Sequence, residues 1–183
     1  MRPRNHCLGT KKGEQLIMVD SKRLTFDTAD NGSRVVWKHF KGDKFDGVPT
    51  FNLELDDDLA TEFQDAGWPV AMYIPKNGGD TRYSLKIKLK FKNKDGNRSQ
   101  LNVVVKDMVT GKKSHYDENN IGDLDNVQIT RAVIDIYNGW AETYQRKYIG
   151  VNNAYFEIES RELDRLMAMD DDDDWLKEDA NAL

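Results

Sequence analysis

Between Tyr83 and Phe91 apolar and polar side chains alternate without a break. Tyr83, Leu85, Ile87, Leu89 and Phe91 stand against Ser84, Lys86, Lys88, Lys90 and Lys92. A period of two marks an extended strand with one face in a core and the other in water. Asp95-Gly96 is a strong hairpin turn, and Leu101–Val105 is predicted to return as the partner strand. The same alternation predicts a strand over Thr50–Leu55, with Phe51, Leu53 and Leu55 on one face. Val35–Phe40 is β-branched and aromatic and breaks at Gly42-Asp43, which predicts another strand.

Asp56-Asp57-Asp58 opens a short helix, because aspartate caps orphan amides and negative charge suits a helix N-terminus. Leu59 and Phe63 fall one turn apart on its buried face, and Gly67 ends it. Capping accounts for these three aspartates better than metal ligation does. Trp68–Ile74 reads as a strand closed by Pro75 and the Asn77-Gly78-Gly79-Asp80 turn. A turn at Thr110-Gly111-Lys112-Lys113 leads to a further segment, and Val127–Tyr137 reads as a long strand. Tyr144–Ile149 and Ala154–Ile158 look like its successors. Arg161–Met169, with Leu163, Leu166 and Met167, reads as a short helix. Many modest strands and one or two short helices predict a mainly β fold, a closed or nearly closed antiparallel barrel.

The chain has 183 residues, enough for one domain with extensions and a self-sufficient core. Residues 1–20 lack periodicity and read as a disordered extension, 21–169 as the folded domain, and 170–183 as an acidic disordered tail. Lys12-Gly13-Glu14 back-translates to AAAGGAGAA, which contains a bacterial ribosome-binding sequence a few codons before Met18. Met18 is therefore a candidate natural start beside Met1.

The net charge of −5 misdescribes the domain. From Asp170 onward, Asp170, Asp171, Asp172, Asp173, Asp174, Glu178 and Asp179 face Lys177 alone, so the tail carries −6 and the body +1. A like-charge block stays solvated and is commonly an interaction tail. A partner can grip Trp175 and Leu176 while its basic rim meets the aspartates. Alternatively the tail folds back over a basic groove of its own protein, or only keeps the chain soluble.

On an extended strand Lys86, Lys88, Lys90 and Lys92 form one ladder, with Arg82 extending it. Their spacing of about 6.5–7 Å is close to that of phosphates in a stretched single strand. The competing reading is a solvated face guarding an exposed edge. Four unmixed lysines in a nearly neutral body favour phosphate contact. Single-strand binding also needs aromatic platforms on which bases stack. Trp37, Tyr73, Tyr116, Tyr137, Trp140, Tyr144, Tyr148 and Tyr155 are available. Of these, Trp37 and Trp140, at strand ends beside turns, are the preferred stackers, and Lys38 and Tyr137 complete the candidate set.

Other chemistry is thinly supported. One cysteine, Cys7, allows no intrachain disulfide framework, and His6, His39 and His115 have no metal-ligand spacing. There is no phosphate-cradling glycine loop or nucleophile motif, so no catalytic residue, metal or cofactor is expected. No apolar run is long enough to span a membrane and no secretory signal is present, which predicts a soluble intracellular protein.

In their order, these motifs resemble small single-stranded DNA-binding proteins encoded by tailed bacteriophages, over about Val35–Leu166. The resemblance rests on Val35-Val36-Trp37-Lys38-His39-Phe40-Lys41-Gly42, on a capped helix ending in Gly67-Trp68, and on Gly122-Asp123-Leu124-Asp125. Ile136-Tyr137-Asn138-Gly139-Trp140 and Gly150-Val151-Asn152-Asn153-Ala154-Tyr155 complete it. It implies an OB-type barrel over 21–169, sequence-tolerant binding of single-stranded DNA, and a role in phage DNA replication or recombination. It also implies action in the cytoplasm of the infected bacterial host and an acidic tail that recruits a polymerase, helicase or primase. Lys177–Leu183 depart from it, since many such tails finish on the aromatic residue. Strand annealing shares the same surface, and oligomer formation stays open. A different class, a phage interaction protein that mimics DNA or inhibits a host enzyme, would instead use the carboxylates as its working surface.

Overall fold

The computed structural model describes residues 22–42 and 47–160. Nine strands run through these residues: β1 Arg23–Asp27, β2 Val35–His39, β3 Thr50–Leu55, β4 Val70–Tyr73, β5 Arg82–Lys88, β6 Asn102–Asp107, β7 Lys113–Tyr116, β8 Gln128–Ala141 and β9 Arg146–Glu159. One helix, α1, spans Asp57–Asp65, and short 3-10 turns occupy Ile121–Asp125 and Glu142–Tyr144. The fold is mainly β, as the alternation predicts. It consists of a five-stranded sheet, β1-β8-β9-β6-β7, and a four-stranded sheet, β2-β3-β5-β4. Among the described residues no strand pairs across the two sheets, so they do not close into a barrel. Phe51 of β3 meets Phe156 of β9 edge-on at 5.6 Å, which places the shared core between the sheets.

Several elements differ from the sequence expectation. β5 ends at Lys88, and residues 89–100 form a separate excursion with a single bridge between Lys92 and Arg98. Gly96 does sit at a turn with φ of 78°, and Asn93 closes it by donating its amide to the Asn97 carbonyl at 2.8 Å. The return leg is Arg98–Ser99, however, and β6 joins the other sheet. There it runs antiparallel to β7 and parallel to β9, which fill both its edges. β1 carries little sequence signal, because it is short and only Phe26 within it is fully buried. β9 is one strand where two were expected. Asp135 faces Asn153 and Ile136 faces Val151, leaving Asn152 as an extra residue that interrupts the alternation.

Helix α1 caps one end of the core. The Asp56 carboxylate accepts the Leu59 amide at 2.7 Å, as a capping residue should. Its other end is a Schellman turn: Trp68 donates to the Phe63 carbonyl and Gly67 to that of Gln64, both at 2.9 Å. Gly67 takes φ of 83° and Trp68 packs on Phe63 at 5.6 Å. This geometry leaves the Gly67 carbonyl to accept from Asn138 of β8 at 3.0 Å and from the Lys147 ammonium of β9. The far half of the long β8–β9 hairpin is thereby pinned to α1. The expected disordered termini, the Arg161–Met169 helix and the tail lie outside the described residues.

Candidate nucleic-acid interface

The basic row predicted on one strand is divided by the end of β5. Arg82, Lys86 and Lys88 belong to the strand, while Lys90 and Lys92 stand on the excursion that follows it. The alternation nonetheless persists past the strand end: Leu89 is buried and Phe91 packs against the core, so Lys90 and Lys92 are exposed. Leu89 holds the path by donating to the Pro49 carbonyl at 2.9 Å.

Beyond Lys88 the excursion bounds a groove of about 850 Å³. Among the described residues its cationic lining is Lys88, Lys90, Lys92, Lys94 and Arg98, and its acidic lining is Glu118. Glu118 pairs with Lys92 at 2.9 Å. The aromatic lining is Tyr137, Tyr148 and Phe91. Tyr137 and Tyr148 meet edge-on at 6.2 Å, and the Lys90 ammonium stands 5.2 Å from the centre of the Tyr148 ring. That is within cation–π range.

A reciprocal pair of glycines makes this tyrosine platform. In the β8–β9 register Tyr137 faces Gly150 and Gly139 faces Tyr148. The far end of each ring stands over the glycine opposite. A Cβ on Gly150 would approach Tyr137 Cζ to 2.0 Å, and one on Gly139 would approach Tyr148 Cζ to 2.4 Å. Burial first, and then the neighbouring Tyr148, push the Tyr137 phenol above its ordinary value, so it stays neutral near pH 7.

The remaining predicted residues are placed elsewhere. Trp140 is half exposed, but strand alternation sets it on the face of the hairpin opposite Tyr148, beside Lys147. Lys38 points away from the groove. Its ammonium donates to the carbonyls of Leu124, at 3.0 Å, and Val127, and burial lowers its pKa. Asp125 completes this brace by accepting the amides of Phe40 at 2.8 Å and Lys41 at 2.9 Å. The Val35–Gly42 and Gly122–Asp125 motifs thus fasten to each other. Trp37 lies away from the groove with Tyr73, Pro75 and Arg82. Lys94, Arg98 and Tyr148 were not singled out from the sequence. The available signal for Tyr148 was the repeated Tyr-x-Gly of Tyr137–Gly139 and Tyr148–Gly150, which places aromatic over glycine on paired strands. Among the described residues no group of three or more His, Cys, Asp or Glu is placed to hold a metal ion, and no helix is long and apolar enough to cross a membrane. The tail residues Asp170–Asp174, Trp175 and Leu176 lie outside the described residues.

A cationic groove floored by half-buried aromatic rings that still face it is an arrangement suited to single-stranded nucleic acid. The family model described as "Putative phage ssDNA-binding domain" matches residues 18–169. The chain belongs to that family. Among curated proteins and among solved structures, none matches the chain significantly. The family is one of DNA-binding domains, so single-stranded DNA is the partner class for this chain.

Proposed function

We propose that this phage protein coats single-stranded DNA during replication or recombination in the cytoplasm of the infected host, binding it in the groove between the 89–100 excursion and the β8–β9 hairpin. The observation that carries the reading is the convergence of Lys88, Lys90, Lys92, Lys94 and Arg98 on the Tyr137–Tyr148 platform. A base stacking on Tyr148 takes the position that Lys90 holds in the free protein, and the ammonium moves to the adjacent phosphate. Stacking is indifferent to sequence because every base has a π-face. Duplex DNA hides its bases and gains only the phosphate contacts. The acidic tail, with Trp175 and Leu176 directly after its aspartate run, recruits a replication partner, a polymerase, helicase or primase.

The test is a fluorescence titration with single-stranded and duplex oligonucleotides over a salt series. With Lys92 held by Glu118, about four groove cations release counterions, so log K falls against log salt with a slope near −3, from roughly −0.7 per phosphate. A slope near zero, or equal affinity for duplex and single strand, would overturn the reading. Deleting residues from Asp170 onward tests the tail: partner capture is lost while DNA binding persists. A DNA mimic would lose its partner and bind no DNA in either form.

A further inference from the structure

A second aromatic cleft lies on the four-stranded sheet away from the tyrosine groove, with Tyr73 opposite Arg82 at the start of β5 and Trp37 reaching in from β2. Trp37 and Tyr73 meet edge-on at 5.9 Å, and together with Pro75 and Arg82 they line about 510 Å³. Trp37 is on β2 and Tyr73 on β4, the two edges of a four-stranded sheet. Their rings therefore reach toward each other across the solvent face of β3 and β5. Both are about half exposed, at 41% and 52%. Rings that served only to pack would be buried with the core, whose members include neither.

Trp37 also carries an uncommon backbone. It sits in a bulge where Val36 faces Asn52 and His39 faces Thr50, with φ of 47°. Left-handed φ in a bulge is ordinarily a glycine position. A bulky residue held there is a true outlier, and such outliers cluster at binding sites.

The basic row joins this cleft to the groove. Arg82 lines the cleft, Lys86 and Lys88 follow along β5, and Lys90 covers Tyr148. From Arg82 to Lys90 there are four two-residue steps, each about 6.5–7 Å. Taking the groove reading as its basis, we propose that Trp37, Tyr73 and Arg82 form a second base-stacking station. One DNA strand runs along β5 between the two stations, and they set a footprint of about five nucleotides. The station takes an unpaired base between or upon its rings while Arg82 meets the neighbouring phosphate. A site of this size falls within the range found for single-strand binders of modest size.

Oligothymidylates of roughly two to eight nucleotides test this, by affinity and by photo-crosslinking to the full-length protein. The wild type should show a steep rise in affinity between about three and about six nucleotides, where the second station is first reached. Trp37→Gly and Tyr73→Ala should each lose about fivefold to 150-fold on the longer oligonucleotides. Both variants should bind the shortest ones as the wild type does. Iodouracil at the end of a six-nucleotide strand should crosslink to Trp37 or Tyr73 in the unmodified protein, which keeps the test independent of folding of the variants. If short strands bind without a length step, or end-labelled strands crosslink only to the tyrosine groove, the second station is overturned and the groove stands. Absence of binding at every length would overturn both.

Discussion

The Lys90 ammonium lies 5.2 Å from the centre of the Tyr148 ring, joining the excursion after β5 to the far half of the β8–β9 hairpin. Because Tyr148 is fixed over Gly139, the cation and the ring hold a set position on one groove wall before any ligand arrives. Replacing Tyr148 by alanine is expected to weaken single-stranded DNA binding by roughly 1–3 kcal/mol. Tyr148→Phe, which keeps the π-face, should bind nearly as the wild type. Titration of both variants at one salt concentration distinguishes loss of stacking from loss of the hydroxyl.

Gly150→Ala should separate platform geometry from stability. The added Cβ meets the far end of the Tyr137 side chain rather than backbone, so the ring can swing aside and the fold persists. The displaced ring no longer lies beside Tyr148. The expected result is a near-native thermal midpoint with DNA affinity reduced severalfold. An unchanged affinity would show that Tyr137 takes no part in the platform.

Among the described residues Glu118 is the acidic member of a lining with five cationic side chains, and it pairs with Lys92 at 2.9 Å. The pair is about half exposed, so it contributes little to stability. Glu118→Gln frees Lys92 for phosphate. Binding should tighten at low salt, and the salt slope should steepen by roughly 0.7. Weaker binding in that variant would mean that Glu118 positions the groove rather than competing for it.

Trp37→Gly and Trp37→Ala should differ in stability. Alanine keeps the unfavourable left-handed φ and loses the contact with Tyr73, whereas glycine adopts that φ freely. Glycine is expected to be the more stable of the two by about 1 kcal/mol, measured by urea denaturation. Equal midpoints would argue against strain at this bulge.

Acid stability should depend on Asp27. Arg131 donates to both its oxygens, through Nε at 3.1 Å and through Nη2, and Ala29 donates its amide at 2.9 Å. The Arg131 hydrogen bonds above all hold this carboxyl below its ordinary value. A lowered folded pKa contributes stability that is fully present above the unfolded value of about 3.9, and that is lost as pH falls through the folded value. Asp27→Asn should lower the melting temperature at pH 7 by a few degrees. The gap should then shrink as the pH is taken below about 4. A gap that is constant with pH would remove the carboxylate from the account.

The local elements whose signals are short in range can be read directly from the chain. Alternation placed β3 and β5 because a strand with one buried face must repeat every two residues. Asp56 and Gly67 marked the ends of α1 because capping and left-handed φ demand those residue types. The lysine row was legible for the same reason, and its alternation outlasts the strand itself. Tertiary structure decided what meets what. Nothing local tells β6 to leave β5 and run parallel to β9, since that choice depends on which edges remain free in the assembled sheets. Nor does local pattern show that Lys38 is committed to the carbonyls of Leu124 and Val127, or that Trp140 faces away from the groove while Tyr148 faces into it. One extra residue at Asn152 shifts the pairing register, and the side a ring occupies follows from pairing rather than from composition. The lysines were visible in the chain; their partner ring was fixed only when β8 paired with β9.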